Sequence, residues 1–457
     1  MATMATSGKQ SAVEQLTALL DAPDAYDTAH EAILPLQIEA AQALFVEQVE
    51  AIKLLGNRAR SGNVDAIRSA ADIVPLLFAH TAYKSYPESW LTERKWDRLG
   101  KWLETVSATP VTGVDLTDVT DIDDWLGRLQ AAGHFVSCSS GTTGKCAMLD
   151  ATAQDLAWAQ REVVRSISWG ANIEAAQDRR LIGTGAVAHS ARNNVTKNGI
   201  VGGFSRLDVE PYQPPVPPIT IGAITGMVAM RKAIGEGTAS PDDIAAFEET
   251  SAARAAAVEA SYDITADALI EARGDKLFIL GMWAGLHRVA MIVRERGYGA
   301  KDFHPDNALY VGGGLKGAVL PPDYRQFISE TFNLSPEREF HMYGMQEINA
   351  ALPRCQAGRY HVPPWVMLLL LDEPGETLVE PTPGIEQEGR AAFFDFSVRG
   401  RWGGVISGDK IMADYGPCAC GAKSPSIRDN IVRYADQVGG DKISCSGTID
   451  AYVRGAA

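Results

Sequence analysis

Short apolar runs that end in glycine recur from about residue 133 onward, and helical stretches separate them. The runs are "HFVSCSSG", "KLFILG", "NALYVGGG" and "EFHMYG". A strand that ends in a glycine-containing loop and is followed by a helix is typical of α/β sheets, whose loops gather at the strand ends. The alternation therefore predicts an α/β core, with "HFV" as the strand that enters its first glycine-rich loop.

The two ends of the chain have different patterns of apolar residues. Apolar residues recur three and four positions apart through "AQALFVEQVEAIKLLGNRAR", which predicts a helical lead-in. From Trp365 onward, "WVMLLLL", "AAFFDF" and "GGVISGDKIMADYG" predict strands and hairpins in a β-rich subdomain. One helix is expected after Ser240, which caps it, with Pro241 at its first position. The predicted divisions are a helical lead-in (1–110), a core (111–432) and a short C-terminal segment (433–457).

Charge and cysteine usage narrow the classes of partner. The 457-residue chain has 42 basic and 57 acidic residues, a net charge of -15, which argues against nucleic acid or an anionic membrane as the main partner and favours a small molecule. Its longest apolar run, Trp365 to Leu371, is far below the roughly 20 residues of a membrane helix. Six irregularly spaced cysteines predict a reducing environment, hence a soluble cytoplasmic protein.

The stretch "SCSSGTTGKC", residues 137–146, concentrates glycines and hydroxyls immediately before Lys145. Free backbone amides, hydroxyls and an ammonium group together suit phosphate oxygens. A Walker A loop is excluded twice, because Ser139 stands where its first glycine is required and Cys146 follows the lysine. Taken alone, the stretch is better explained as a flexible serine-rich turn, because short glycine loops are common.

This loop is followed by further motifs, and all of them resemble motifs of one enzyme superfamily. "SSGTTGK" resembles the phosphate-binding loop of the adenylate-forming superfamily, whose members activate carboxylates as acyl-adenylates. "VGGGLKG", "YGMQE", "SGDK" and "VRYADQV" follow in that superfamily's order across about 300 residues. The resemblance implies a large α/β N-terminal domain that holds ATP and an acyl pocket.

The resemblance also implies roles for single residues. Tyr343 would stack on adenine, Glu347 would bind Mg2+, and Asp409 and Arg433 would bind the ribose; Gln346 departs from the usual threonine of this motif. The full set of ATP-binding residues that it implies is Ser139, Ser140, Gly141, Thr142, Thr143, Gly144, Lys145, Gly313, Gly314, Tyr343, Gly344, Asp409 and Arg433.

The chemistry of adenylation is consistent with such a site. A carboxylate that attacks the α-phosphate of ATP brings one anion against another, so the enzyme must neutralise charge and fix geometry. Lys145 and Mg2+ held by Glu347 would supply the positive field. In isolation, Glu347 is better explained as a surface carboxylate, and Asp409 as a turn residue after glycine.

Three cysteines and a histidine lie in two short loops, "CQAGRYH" and "YGPCACGAKSP". Cys355, His361, Cys418 and Cys420 offer four nitrogen and sulfur ligands, which suit a closed structural zinc site. Unpaired cysteines beside an unrelated histidine are the alternative, because C-x-C is tighter than the usual C-x-x-C. The arrangement resembles the one in phenylacetate-CoA-ligase-like enzymes, which implies zinc.

The end of the sequence departs from the superfamily pattern, whose members carry a mobile C-terminal domain with a catalytic lysine. Only 21 residues follow Asp436, so that domain is expected to be truncated or vestigial. Lys442 is a candidate substitute for that catalytic lysine. Alternatively, Lys442 is only an exposed lysine in the tail. The short end also resembles LuxE-type acyl-protein synthetases, which implies Cys445 as a candidate acyl acceptor; an inert small residue is the alternative.

The predicted activity is that of an AMP-forming ligase, which adenylates a carboxylic acid and passes the acyl group to a thiol such as CoA. Self-acylation on Cys445, amide formation with an amine, and a non-catalytic nucleotide-binding regulator are the alternatives. His189, Trp283 and His287 are candidates for the acyl pocket, although core packing explains such residues as well. Aromatic, fatty and amino acids all stay open as substrates, and so does a homodimer.

Overall fold

A computed structural model describes residues 10–138, 145–185, 189–313, 315 and 318–436. The α-helices of these residues are α1 (Ala12–Ala18), α2 (His30–Gln48), α3 (Lys53–Gly62), α4 (Ala70–Ile73), α5 (Ser89–Thr92), α6 (Trp96–Glu104), α7 (Ile122–Ala131), α8 (Ala153–Gly170), α9 (Ala191–Phe204), α10 (Ile221–Gly235), α11 (Pro241–Glu271), α12 (Trp283–Glu295) and α13 (Tyr324–Phe332).

The strands fall into two main sheets and two small hairpins. They are β1 (Phe78–Ala79), β2 (Ser137–Cys138), β3 (Met148–Leu149), β4 (Arg180–Gly183), β5 (Leu277–Gly281), β6 (Asn307–Val311), β7 (Leu334–Phe340), β8 (Met342–Tyr343), β9 (Leu352–Pro353), β10 (Arg359–His361), β11 (Val366–Leu371), β12 (Gln387–Asp395), β13 (Gly404–Asp414), β14 (Ser426–Arg428) and β15 (Val432–Arg433).

The predicted α/β alternation is confirmed in a four-stranded parallel sheet. Its order is β4-β5-β6-β7, and helices α9 to α13 occupy the connections between these strands. The carboxyl ends of the strands meet at one edge, where Gly312 N donates to Gly281 O at 3.0 Å and Thr184 N donates to Leu280 O at 2.8 Å. Such an edge is where open α/β sheets bind ligands.

The run "HFVSCSSG" does not join that sheet, so this part of the prediction is wrong. Its strand is the two-residue β2, which pairs antiparallel with β3, Ser137 opposite Leu149 and Cys138 opposite Met148. The hairpin carries residues 139–144, which lie outside the described residues. An apolar run before glycine marks a strand, but it does not specify whether the partner is parallel or antiparallel.

The predicted β-rich region is confirmed as a second sheet of order β10-β14-β13-β12-β11, with β1 and β15 also paired to β13. Strand β11 is buried on both faces, which explains its uninterrupted apolar sequence. The lead-in helices pack onto this sheet, because residues such as Leu44, Trp102 and Phe394 belong to one apolar core.

Two local predictions about helices are confirmed. The predicted lead-in helix is present as α2 and α3, which are separated at residues 49–52. Helix α11 begins at Pro241, and Ser240 caps it by accepting a hydrogen bond from Asp243 N. Cys138 and Cys146 are both buried. Within the described ranges, no helix is both long and apolar enough to cross a bilayer.

Candidate functional site

Two of the predicted nucleotide residues meet between the small hairpin β8–β9 and strand β13. The phenol of Tyr343 donates a hydrogen bond of 2.6 Å to Asp409 Oδ2. Burial, followed by the charge of Asp409, holds the pKa of Tyr343 far above its usual range, so the phenol stays protonated. The rings of Phe393 and Tyr360 lie 5.9 and 6.0 Å from that of Tyr343.

Arg433 reaches the same carboxylate from strand β15. The antiparallel register of β13 and β15 places Asp409 directly opposite Arg433. Arg433 Nε lies 3.7 Å from Asp409 Oδ1, and the two side chains are 68% and 15% exposed. An aromatic ring, a carboxylate and an accessible guanidinium, taken from three separate motifs, therefore form one polar group.

Glu347 lies four residues beyond Tyr343 and is half-buried. Its charge contributes to the raised pKa values of Tyr343 and Tyr83. Among the residues that the structure describes, no hydrogen bond or ion pair involves its carboxylate. A half-buried carboxylate with both oxygens free suits an oxygen-seeking cation such as Mg2+.

A buried arginine fixes the main chain at Glu347. Arg401, 2% exposed, donates through Nη2 to Glu347 O at 2.9 Å and through Nη1 to Asp150 O at 2.8 Å. Asp150 directly follows β3, the second strand of the hairpin that carries residues 139–144. One guanidinium thus holds the β2–β3 hairpin and the Glu347 segment in a fixed relation.

The residues that follow Glu347 are held by two buried carboxylates. Asp395 Oδ2 accepts from Asn349 N at 2.7 Å and from Ala350 N at 3.0 Å, and Glu162 Oε1 accepts from Ala351 N at 3.1 Å. Burial raises the pKa of Glu162 to about 8 and also raises the pKa of Asp395. These contacts make the Glu347 segment rigid without use of the Glu347 side chain.

Lys145 is clamped by Tyr86. Its ammonium donates to Tyr86 O at 2.9 Å and lies 5.6 Å from the ring centroid, while Tyr86 Oη donates to Cys146 O at 2.8 Å. Lys145 is therefore tied to the lead-in region at the end of the glycine-rich stretch.

Several predicted site residues lie outside the described part of the chain, and their roles stay predictions. They are Ser139, Ser140, Gly141, Thr142, Thr143, Gly144, Gly314, Lys442 and Cys445. Of the other predicted glycines, Gly313 follows β6 with φ of 143°, and Gly344 follows β8.

The base of the β2–β3 hairpin contains a buried ion pair. His134 Nδ1 lies 2.8 Å from Asp150 Oδ2, and Nε2 lies 3.2 Å from Pro110 O. Both ring nitrogens therefore face acceptors, which only the imidazolium can satisfy together. The hydrogen bond to Asp150, opposed by burial, raises the pKa of His134.

This pair predicts a pH-dependent stability. Because the folded pKa of His134 is raised, its contribution is fully present below the unfolded value of about 6.5 and is lost as pH rises through the folded pKa. We expect the melting temperature to fall by a few degrees more between pH 6 and 8.5 in the parent than in His134→Gln. If the melting temperatures of the two proteins changed equally with pH, the ion pair would be contradicted.

The three candidates for the acyl pocket lie in different surroundings. Trp283 is 2% exposed, and its ring packs 5.1 Å from Tyr324, while His287 faces Phe327 at 5.4 Å. Both therefore contribute to the α12–α13 interface. His189 is exposed just before α9, and its N–H donates to Ile219 O at 2.8 Å. Their role towards a substrate stays a prediction.

The cysteine and histidine loops come together as one cluster. The ligand atoms of Cys355, His361, Cys418 and Cys420 all lie within 4.8 Å of one another. Cys355 Sγ is 3.9 Å from Cys418 Sγ, and Cys420 Sγ is 3.4 Å from His361 Nε2. Tetrahedral zinc with its usual bond lengths requires about 3.8 Å and 3.5 Å for these two separations, so the residues fit the metal.

The loops are shaped to present those ligands. Gly358 N donates to Cys355 O and Gly421 N donates to Cys418 O, both at 3.0 Å. The two glycines have φ of 79° and 99°, in the left-handed region that favours glycine. His361 Nδ1 lies 3.0 Å from Ser424 Oγ, which leaves Nε2 directed at the cluster.

Asp395 and Arg401 support the site but were not anticipated from the sequence. A signal was present in "AAFFDFSVRGRW", where charged residues interrupt an otherwise apolar run. Charged side chains are almost never fully buried unless they are paired, so charges in such a run indicate a structural or functional network. Their partners lie in other motifs, and the sequence does not reveal that pairing.

No protein-family model and no curated protein matches this sequence. Among solved structures, an open conformation of 2-hydroxyisobutyryl-CoA ligase in complex with 2-HIB-AMP and CoA is similar at a TM-score of 0.51 and 13% identity, over 89% of this chain and 70% of that one. ATP-bound MatB from Rhodopseudomonas palustris has a TM-score of 0.36 at 13% identity, over 65% of this chain and 47% of that one.

A fatty acyl-adenylate ligase from L. pneumophila has a TM-score of 0.34 at 10% identity, over 64% of this chain and 49% of that one. The chain thus spans about half the length of these last two proteins. The similarity to 2-hydroxyisobutyryl-CoA ligase shows that the chain has the fold of adenylate-forming ligases.

Proposed function

We propose that this protein is an ATP-dependent, AMP-forming ligase that adenylates a carboxylic acid. The observation that carries the proposal is the group formed by Tyr343, Asp409 and Arg433, in which a 2.6 Å hydrogen bond and the β13–β15 register join three motifs. Adenine and ribose require such a group: an aromatic face, and charged acceptors and donors for hydroxyls. The fold supports the same assignment.

Each residue then has a physical task. Tyr343 would contact adenine, Asp409 would accept hydrogen bonds from the ribose hydroxyls, and Arg433 would donate to them. Lys145 and the hydroxyls of residues 139–143 would hold the phosphates, while Glu347 would bind Mg2+. A bound Mg2+ neutralises phosphate charge, which lowers the cost of bringing a second anion to the α-phosphate.

A thiol such as CoA is the first candidate for the acyl acceptor. The similar 2-hydroxyisobutyryl-CoA ligase was crystallised with an acyl-adenylate and CoA, which supports a two-step reaction through acyl-AMP. Transfer to Cys445 and amide formation are the competing second steps.

The test of the first step is ATP–pyrophosphate exchange in the presence of single acids. The panel should contain phenylacetate, octanoate, an amino acid and 2-hydroxyisobutyrate, which sample the open substrate classes. Acid-dependent exchange is expected for one class. ATP binding without exchange for any acid would instead indicate the non-catalytic regulator. Adding CoA, and comparing the parent with Cys445→Ser, would identify the acceptor.

We also propose that Cys355, His361, Cys418 and Cys420 hold a structural zinc ion. Four protein ligands leave no open position for a substrate, which argues for a structural site. Tyr360 precedes His361 in β10, and its ring lies 6.0 Å from that of Tyr343. The metal would therefore stabilise one wall of the nucleotide pocket.

A substitution in the ribose group tests the nucleotide assignment. Asp409→Asn removes the charge that faces Arg433 and the proposed hydroxyls, so we expect ATP to bind about 10- to 100-fold more weakly in titration calorimetry. Glu388→Gln is the control, because Glu388 pairs with Lys410, the neighbour of Asp409, at 2.6 Å on the surface. Equal ATP affinity in Asp409→Asn and the parent would contradict the assignment.

A further inference from the structure

Arg192 is a half-buried guanidinium in the first turn of α9 that lacks an ion-pair partner among the described residues. Its Nη2 donates to Asn349 O at 3.0 Å, two residues beyond Glu347. In the described part of the chain, no carboxylate lies within 4.0 Å of its nitrogens. A guanidinium has five N–H donors and a full charge, so a single carbonyl contact leaves it incompletely compensated.

Two of the three acids whose charges act on Arg192, Asp395 and Glu162, already accept several hydrogen bonds. Burial lowers the pKa of Arg192 and the charge of Arg401 adds to this, while Asp395, Glu162 and Glu347 oppose it. Asp395 already accepts hydrogen bonds from two backbone amides on Oδ2, and from Ser397 N and Oγ on Oδ1. Glu162 Oε1 already accepts hydrogen bonds from Ser166 Oγ at 2.5 Å and from Ala351 N at 3.1 Å.

Among the described acids whose charges act on Arg192, Glu347 is therefore the one whose carboxylate makes no hydrogen bond or ion pair. The two side chains do not form an ion pair with each other, so each is left to bind a charged group of opposite sign. Arg192 lies in the first turn of α9, the first helix after the carboxyl end of β4, and this position puts it near the ligand-binding edge of the parallel sheet.

We propose that Arg192 binds the carboxylate of the acid substrate, opposite the proposed magnesium ligand Glu347. This inference rests on the proposed function. In that reaction, one carboxylate oxygen forms a bond to the α-phosphorus of ATP while the bond to pyrophosphate breaks, which gives acyl-AMP and pyrophosphate. Arg192 stays protonated throughout and orients the acid by hydrogen bonds to its carboxylate, for which a planar guanidinium is well suited.

A purely structural role is the competing explanation, since Arg192 also connects α9 to Asn349. The two roles predict different kinetics. A structural arginine would affect stability and the binding of both substrates, whereas a carboxylate ligand would affect the KM of the acid and leave ATP binding intact.

The experiment compares Arg192→Gln and Arg192→Lys with Arg165→Gln in ATP–pyrophosphate exchange, using the acid from the panel that the parent accepts. Arg165 is a matched control, because its Nη2 also donates to backbone carbonyls, Ala22 O and Pro23 O, both at 2.7 Å. We expect Arg192→Gln to raise the KM of the acid about 10- to 100-fold, Arg192→Lys to recover part of that loss, and Arg165→Gln to change it less than about twofold.

ATP affinity, measured separately by calorimetry, should change less than about twofold in Arg192→Gln. An unchanged acid KM in an active Arg192→Gln enzyme overturns this inference alone, and so does a parallel loss of ATP affinity. A parent that exchanges with no acid of the panel overturns the proposed function, and the inference with it.

Discussion

Glu347→Gln should abolish most of the ATP–pyrophosphate exchange while the protein stays folded. The substitution removes one negative charge where we propose that Mg2+ binds, and a preorganised electrostatic group of this kind contributes about 10²- to 10³-fold to the rate. We therefore expect kcat to fall by about that factor in an exchange assay at saturating ATP, acid and Mg2+.

Retention of the fold follows from the local contacts. Arg401 holds the backbone carbonyl of Glu347, and a change of side chain at this position leaves that carbonyl in place. No described residue contacts the Glu347 carboxylate through a hydrogen bond or ion pair, so its replacement should shift the melting temperature by no more than about 2 °C.

The matched control is Glu339→Gln. Glu339 is a half-buried acid on β7, only a few residues before the same motif, and its carboxylate accepts a hydrogen bond from Ser329 Oγ that glutamine could still accept. Normal exchange in Glu339→Gln together with loss in Glu347→Gln would locate the effect in the nucleotide site. Full activity of Glu347→Gln would remove the basis for a magnesium ligand at this position.

Local signals predicted single elements well. The capping serine, the proline and the two acids that begin α11 act within one helical turn, so the start at Pro241 follows from the sequence. Strand β11 is equally evident, because a strand buried on both faces must be apolar throughout. In contrast, pairing is non-local: nothing within "HFVSCSSG" distinguishes a hairpin strand from a member of the parallel sheet.

For the site as well, local sequence signals indicate single residues, whereas the contacts between them depend on the fold. Tyr343, Asp409 and Arg433 were predicted through ordered motifs, but the contact of Asp409 with Tyr343 and its register with Arg433 require the folded sheet. Arg192 lies three residues after His189, but no feature of the sequence singles it out. Arg192 stands out because no acid among the described residues forms an ion pair with it. Such a lack of a partner is a property of the folded structure and cannot be predicted from the sequence.

Removal of the proposed zinc ion should be the most destabilising change to this protein. Zinc bound by four cysteine and histidine ligands contributes on the order of 10 kcal/mol to folding, and a chain of this length loses about 1 °C of melting temperature per kcal/mol. We therefore expect a strong chelator, or Cys418→Ser, to lower the melting temperature by on the order of 10 °C. The purified parent should contain one zinc per chain by elemental analysis.

The cysteine control is Cys146→Ala. Cys146 is 3% exposed but lies near the phosphate loop, outside the cluster, so this variant should keep its zinc. Because Tyr360 links His361 to Tyr343, Cys418→Ser should also weaken ATP binding at temperatures where the protein is still folded, whereas Cys146→Ala should retain zinc-dependent stability. The zinc proposal would be contradicted if the purified parent contained no zinc and a chelator left its melting temperature unchanged. The four ligands would then only pack together, and the wall of the proposed nucleotide pocket would depend on apolar contacts alone.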